Sequence, residues 1–207
     1  ADPGSVGALG LLFQWGRKDP FLGSSSITVN QLAYSTMIWP RPVLSDSSVG
    51  TIEYATLHPT EFITHNNNNY DWHYTGSYEG DTRWTTSDAR KSIYDPCPAG
   101  WRVPDGGSNG LWLKALGSSS SYTGTYDSAS EGMNFSGKFG SDQTIWYPAS
   151  GYRYYRDGGP YGVGNYGYYW SASPRSGNAY DLFFDHGGTC CPSNNDYRAS
   201  GRSVRCV

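Results

Sequence analysis

Residues with the chemistry for catalysis are few and scattered along the chain. Among 207 residues there are four histidines and four cysteines. A serine hydrolase presents its nucleophile on a sharp strand-to-helix turn, usually in the pattern G-x-S-x-G. The sequence matches this pattern at 106–110, where no strand is predicted before it. No phosphate-binding G-x-x-x-x-G-K or G-x-G-x-x-G opens a predicted helix. The sequence therefore offers no glycine-rich loop of the kind that binds nucleotide phosphates at a helix N-terminus. We therefore expect a protein that is not an enzyme and that has no cofactor.

Metal-ligand spacing is also absent. No two cysteines have the C-x-x-C spacing of a zinc site. His65, Asp71 and His73 have suitable side chains for a metal and flank four consecutive asparagines. Asparagine side chains compete with the backbone for hydrogen bonds and favour turns. We interpret residues 65–74 as a solvated surface loop and expect no metal site.

The cysteines Cys97, Cys190, Cys191 and Cys206 leave several pairings open. A bridge between Cys97 and Cys206 closes a long loop, which the chain-entropy model values at about 4 to 5 kcal/mol. This is the pairing we favour. The adjacent Cys190 and Cys191 form a strained vicinal disulfide, remain free thiols, or lie on opposite faces of a strand, and the sequence alone does not decide among these.

The composition changes in the last part of the chain. Residues 152–207 contain no Lys, Glu, Gln or Met, whereas the first 151 residues contain four Lys, four Glu, three Gln and two Met. Tyr, Asn, Ser, Gly, Asp and Arg take their place. Tyrosine, serine, glycine and asparagine on a rigid framework are the chemistry of antibody paratopes. The segment therefore predicts a ligand-binding face, and a tyrosine-rich β-protein with a chance deficit is the alternative.

A period-two pattern predicts that part of this face lies on a strand over 179–185. Tyr180, Leu182 and Phe184 are expected to face the core. Asp181, Phe183 and Asp185 are expected to face solvent and ligand. Further ligand contacts are predicted in adjoining loops and strand ends: Tyr154, Tyr155, Tyr161, Asn165, Tyr166, Tyr168, Arg175, Asn178, His186, Asp196 and Tyr197.

Apolar spacing and capping residues predict three short helices: one over 48–57 after a Ser48 cap, one from Ser87 or Asp88 to Tyr94, and one after an Asn109 cap that includes 111–116. Further strands are predicted at 9–15, 21–31, 146–151, 167–173 and 203–207. We interpret Ala1–Ser5 as a remnant left after cleavage of a secretion leader, and 6–207 as a single domain.

Composition excludes several classes of protein. The 18 Tyr, 8 Trp and 7 Phe predict an aromatic core, and 27 Gly with 12 Pro disfavour a helix bundle. The net charge is −3 and no basic block is present, so we expect no nucleic-acid partner. No run reaches the ~18 apolar residues of a membrane span. The small number of lysines, four in all, is typical of an exported surface protein.

Six segments together resemble one family: WGRKDPF (15–21), DPCPAGWRVP (95–104), PASGYR (148–153), YWSAS (169–173), AYDLFF (179–184) and RASGRSVRCV (198–207). They resemble the Fibrobacter succinogenes major paralogous domain. That family is abundant in exported lipoproteins and fimbria-associated proteins of Bacteroidetes. The resemblance runs from about residue 8 to the end of the chain.

The resemblance implies an α+β, C-type-lectin-like fold with short antiparallel strands, two or three short helices and long loops. In such a fold the last strand returns beside the first elements, which brings Cys206 toward Cys97. The resemblance also implies a set of core tryptophans: Trp101, Trp112, Trp146 and Trp170.

Departures from related families matter for function. Calcium-dependent lectins carry Glu-Pro-Asn or Gln-Pro-Asp and Trp-Asn-Asp signatures, and neither kind occurs here. Formylglycine-generating enzymes use a spaced cysteine pair with copper, which the adjacent Cys190 and Cys191 do not reproduce. The composition of residues 152–207 resembles the variable proteins of diversity-generating retroelements, which mutate adenines near the C-terminus. Apart from Trp170, every residue there is reachable by substituting the adenines of an asparagine codon.

We therefore expect a non-enzymatic, extracellular or surface-displayed ligand-binding domain. Its partner is an unknown protein or glycan at a cell surface, with other fimbrial subunits as further partners. One alternative is a structural domain of a fimbria or surface lipoprotein that has no ligand of its own. A third is an enzyme of the formylglycine-generating type.

Overall fold

The structure is a computed structural model that describes residues 6–23, 41–65, 70–74, 82–86, 88, 90–117, 124–136 and 144–207. The predicted remnant Ala1–Ser5, the four asparagines at 66–69, Ser87 and most of the strand predicted over 21–31 lie outside these residues.

Strands dominate the part of the chain that is described. In chain order they are β1 (Leu11–Gln14), β2 (Phe21–Leu22), β3 (Arg41–Leu44), β4 (Glu61–Thr64), β5 (Gly124–Asp127), β6 (Gly132–Ser136), β7 (Thr144–Pro148), β8 (Tyr152–Arg153), β9 (Pro160–Tyr161), β10 (Tyr166–Arg175), β11 (Asn178–Asp185), β12 (Cys190–Tyr197) and β13 (Gly201–Ser203).

The largest sheet has eight strands, and its main path runs β12-β11-β10-β13-β1-β2. Neighbours on this path are antiparallel except β10 and β13, which are parallel. β8 joins this sheet by pairing with β13, and β9 pairs with β8. Separately, β3 and β4 form a parallel pair, and β5, β6 and β7 form an antiparallel sheet.

In the described residues three short α-helices accompany the strands: α1 (Val6–Leu9), α2 (Ile52–Leu57) and α3 (Leu111–Leu116). The helix predicted over 48–57 begins later than expected, because Thr51 accepts the capping hydrogen bond from the Tyr54 amide at 3.0 Å. Ser48 instead donates its hydroxyl to Asp46. α3 follows Gly110, and not Asn109, as its N-cap.

The predicted helix before Tyr94 is absent from the described residues of that stretch. The Thr86 amide donates to the Arg90 carbonyl at 2.7 Å and Thr85 pairs with Lys91, so the chain reverses there as a tight hairpin. No helix of the described residues is long and apolar enough to cross a membrane.

The expected α+β class with a C-type-lectin-like fold is wrong. Strand accounts for 41% of the structure and helix for 11%, and the strands form mixed and antiparallel sheets. A stretch for which the sequence predicted no strand, Cys190–Tyr197, also pairs with β11. The fold is mostly β.

The central strands β10 and β11 have a core on each face. On one face Leu182 and Phe184 pack with Trp112 of α3 and Phe135 of β6. On the other face Trp170 packs with Trp15 and Trp84. The indole N–H groups of Trp15 and Trp170 donate to the carbonyls of Ser171 and Phe13, so these buried rings are also hydrogen bonded.

The predicted disulfide is confirmed: Cys97 and Cys206 are joined across a separation of 109 residues. Buried Asp95 shapes the loop that holds Cys97, since its carboxylate accepts from the Cys97 and Val103 amides at 2.8 and 3.0 Å. Arg102 and Val207 exchange two backbone hydrogen bonds, which hold the end of the chain beside this loop.

Two of the four tryptophans that were predicted to lie in the core are buried there. Trp112 and Trp170 are buried. Trp101 is 54% exposed and was wrongly assigned to the core. Trp146 is only half-buried. Trp15, Trp72 and Trp84 fill the core in addition.

Cys190 and Cys191 are both free thiols. Both lie in strand β12, where successive side chains point to opposite faces. Cys190 packs in the core beside Phe184, and its burial raises the pKa of its thiol to about 12. Cys191 is paired with Phe183 on the other face. The vicinal disulfide left open by the sequence is therefore not formed: the two thiols are free and lie on opposite faces of the strand.

Candidate ligand-binding surface

A continuous series of aromatic rings joins strands of the large sheet to the segments beside them. Each ring lies within 6.2 Å, centroid to centroid, of at least one other. We call this set the tyrosine belt, and its members are Tyr70, Tyr152, Tyr154, Tyr155, Tyr161, Tyr166, Tyr168, Phe183 and Tyr197.

Strand register places one end of the belt. Tyr166 and Tyr168 alternate with core residues along β10, on the face that carries Trp170 deeper in the protein. Phe183 of β11 is directly opposite Tyr168, and their ring centroids are 4.9 Å apart. Gly167, between the two tyrosines, is required by packing, because an added Cβ would lie 2.0 Å from the Phe184 ring.

The β8–β9 hairpin places the middle of the belt. Tyr152 is paired with Tyr161, and their rings stack at 5.9 Å. Tyr152 also contacts the edge of Tyr168 at 5.2 Å, which joins the hairpin to β10. Tyr154, just after β8, lies 5.2 Å from Tyr161 and 4.4 Å from Tyr155.

The far end of the belt is built from three distant segments. Tyr70 and Tyr197 stack at 4.1 Å, and Tyr155 meets both rings edge-on. His65, at the end of β4, stacks on Tyr70 at 5.1 Å. The prediction of a solvated loop at 65–74 is wrong for its flanks, because His65, Asp71 and Trp72 are buried. The Asp71 carboxylate pairs with Arg83 at 2.6 Å.

Most rings of the belt are half-buried, and Tyr161 is 37% exposed. Burial raises the pKa of Tyr168 to about 12, and the hydrogen bond to the Tyr155 hydroxyl raises that of Tyr154 to about 12. Burial raises the pKa of Tyr152 and of Tyr197 as well. These phenols are therefore neutral at pH 7 and offer both a hydrogen-bond donor and an apolar ring.

Arg202 of β13 supports the belt from beneath. Its guanidinium lies 4.2 Å from the centroid of Tyr168 and 4.6 Å from that of Trp170, and it contacts the carboxylates of Asp181 and Asp196. Burial lowers the pKa of Arg202 to about 10, so it is still a cation at pH 7. The belt thus rests on a buried ion pair and not on solvent.

The expectation that Asp181 faces solvent is wrong. Its side chain is buried and pairs with Arg202, because both faces of β11 are covered at this point. Phe183 and Asp185, farther along the strand, are partly exposed as expected. A register shift in β12 separates the two regions, next to Pro192, which has no amide N–H for the ladder.

The remaining predicted contacts fall into two groups. Asn165 and His186 are exposed at the Tyr166 end of the belt, where the His186 amide donates to the Asn165 carbonyl at 2.8 Å. Arg175 and Asn178 are not part of the belt. Arg175 covers Tyr180, and the Asn178 side chain donates to Asn195 at 3.0 Å.

Three residues of this site were not predicted from the sequence: Tyr70 and Tyr152 in the belt, and the buried Arg202 beneath it. Tyr152 lies within the compositionally skewed segment, so the signal that selected its neighbours also covered it. Arg202 lies in the segment RASGRSVRCV, which was considered only for its family resemblance. Tyr70 had no such signal, because only the folded chain brings it to Tyr197.

Two other candidate sites are less suited to a ligand. Residues Gly162 to Gly167 have the spacing G-x-G-x-x-G, but they lead into strand β10 and not into a helix. A cavity of about 240 Å³ lies between α2 and the chain after β1, with Arg17 in its wall. The terminal nitrogens of Arg17 already donate to Gln14 and to the carbonyls of Glu61, Ala55 and His58, so its charge serves the fold.

No group of three or more metal-ligating side chains occurs among the residues for which the structure gives positions. Residues 115–207 match a family model described as a domain of unknown function (DUF8237). The DUF8237 match covers less than half of the chain and includes every member of the belt except Tyr70. No curated protein and no solved structure matches the chain.

Proposed function

We propose that this protein is a non-enzymatic, exported surface domain that binds a protein or glycan ligand through the tyrosine belt. The observation that carries the proposal is the belt itself, nine aromatic rings in continuous contact. Partly exposed tyrosines are typical anchors of binding interfaces, since each combines large apolar area with a hydroxyl group.

The framework beneath the belt is suited to this role. Tyr166, Tyr168 and Phe183 stand on paired strands, and Arg202, itself packed on Trp170, lies against the Tyr168 ring. A surface that is ordered before binding loses less conformational entropy when the ligand arrives. The disulfide agrees with an oxidising, extracytoplasmic location, and the resemblance to fimbria-associated proteins points the same way.

The composition of residues 152–207 supports a further part of the proposal, that this face is diversified in sequence. Eight of the nine belt members lie in this segment. Trp170, the single residue outside the set reachable from an asparagine codon, is fully buried. A neighbouring reverse-transcriptase gene with a near-copy of the 3′ end, differing at adenines, is the expected genomic signature.

The test is binding of the purified protein to an array of extracellular proteins and glycans. The double variant Tyr154→Ala and Tyr161→Ala should lose the ligands retained by the native protein, with little change in melting temperature. The matched control is Trp101→Ala, which removes an exposed aromatic ring outside the belt. If the belt variant keeps every ligand, or if Trp101→Ala loses them equally, the structural-domain alternative becomes the better account.

A further inference from the structure

Two carboxylates and one guanidinium lie beneath the tyrosine belt. Arg202 contacts both Asp181 and Asp196, and no other cation of the described residues is within ion-pair distance of either carboxylate. With both carboxylates ionised, the three groups carry one uncompensated negative charge, and burial raises the pKa of Asp196 because that charge is held away from water. Asp181 is buried, and its Oδ1 has no hydrogen-bond partner among the residues that the structure describes.

This buried group opens toward solvent at one point. The side chains of Asp181 and Arg202 are almost completely covered, whereas that of Asp196 is 32% exposed. Tyr168 and Tyr152 lie beside this opening: Arg202, which contacts Asp196, lies 4.2 Å from the Tyr168 ring centroid, and the Tyr152 ring is 5.2 Å from that of Tyr168. A ligand group that reaches Asp196 therefore also meets the rings of these two tyrosines.

The belt is favourable for cations in a second way. The face of an aromatic ring attracts a cation through its quadrupole. Two guanidinium groups of the protein already lie over belt rings, that of Arg202 on Tyr168 at 4.2 Å and that of Arg156 on Tyr155 at 5.5 Å.

We infer that the tyrosine belt receives a partner protein through a basic side chain, arginine or lysine, whose cationic group pairs with Asp196 between Tyr152 and Tyr168. This inference rests on the proposed function and adds the chemistry of its ligand. A neutral glycan would leave the excess charge uncompensated, and an anionic lipid surface would be repelled by it. The partner's cation brings the buried group to neutrality as water is excluded.

The test uses N-acetyl-arginine amide as the probe and N-acetyl-citrulline amide as its uncharged control of nearly identical shape. Binding is followed by NMR of the full chain with ¹³C-labelled tyrosine rings. We expect the arginine probe to shift the ring signals of Tyr152 and Tyr168 and to bind at least about tenfold more tightly than the citrulline probe. Asp196→Asn should remove that difference, whereas Asp88→Asn, an exposed carboxylate on another part of the chain, should not.

Ionic strength supplies a measurement that needs no variant. Added salt should weaken binding of the arginine probe and leave the citrulline probe unchanged, because salt screens only the charged pair. Equal affinities for the two probes, or a difference that survives Asp196→Asn in the folded protein, would overturn the inference. Binding of a neutral methyl glycoside at these rings in preference to the arginine probe would also overturn it, while leaving the proposed function intact.

Discussion

Arg202 shows how a single side chain organises the surface. It is fully buried, yet it touches two carboxylates and two aromatic rings from three other strands. The alternation in residues 179–185 correctly identified Leu182 and Phe184 as core. It failed at Asp181, because a pattern within one strand cannot show that a partner from another strand covers its polar side.

Tyr168 gives a titration that reports on this environment. Burial raises its pKa from 10.0 to about 12. A group with a raised pKa in the folded state contributes stability that is complete below its unfolded pKa and is lost as the pH rises through the folded value. We therefore expect stability from Tyr168 to be lost between about pH 10 and pH 12.

Ultraviolet absorbance of the phenolate checks this expectation. In the native protein part of the tyrosine absorbance should appear at higher pH than in the guanidinium-unfolded chain, and Tyr168→Phe should remove a share of that late component. Identical titrations of the native and unfolded protein would show that the belt is open to water.

At the scale of elements, the capping residues correctly predicted that α2 and α3 exist, but they did not predict the residue at which each helix begins. Ser48, Thr51 and Asn109 are all acceptable N-caps by residue type. The choice among them is made by geometry, since Asp46 captures the Ser48 hydroxyl and leaves Thr51 to cap Tyr54. Strands β10 and β11 were more predictable, because aromatic runs bounded by turn residues have few stable conformations other than paired strands.

The pair Ser48 and Thr51 provides a direct comparison of two capping candidates. Thr51→Ala should lower the free energy of unfolding by about 1 kcal/mol, because the Tyr54 amide loses its acceptor. Ser48→Ala should change it by less than about 0.5 kcal/mol, since its exposed hydroxyl only supports a turn. Chemical denaturation of both variants measures the difference, and a larger effect from Ser48 would reassign the cap.

At the scale of the whole molecule, the disulfide and the central sheet join the two ends of the chain. Cys206 follows β13, which pairs with β1, and the bridge ties this region to the Asp95 loop. The Cys97–Cys206 pairing could be predicted from the sequence, because of the long loop that it closes and because of the family resemblance. The meeting of Tyr70 with Tyr197 could not be predicted in this way, because it depends on how three segments fold against each other.

Removal of the bridge should be costly. Cys97→Ser combined with Cys206→Ser is expected to lower the free energy of unfolding by about 4 to 5 kcal/mol in the chain-entropy model. Cys191→Ser is the matched control and should have a small effect, because this thiol is free and only half-buried. Equal stability of the double variant and the control would show that the bridge does not hold the fold.

The central claim is that the tyrosine belt is the binding surface, and the most direct test is a display library with every position from 152 to 197 substituted in turn. The library is sorted separately for resistance to proteolysis, which reports folding, and for binding to a ligand retained on the array. The account predicts that positions which lose binding without losing folding are those of the belt, led by Tyr154, Tyr161 and Tyr166. It would be contradicted if such positions were scattered over opposite faces of the sheet, or if every belt substitution that reduced binding reduced folding equally.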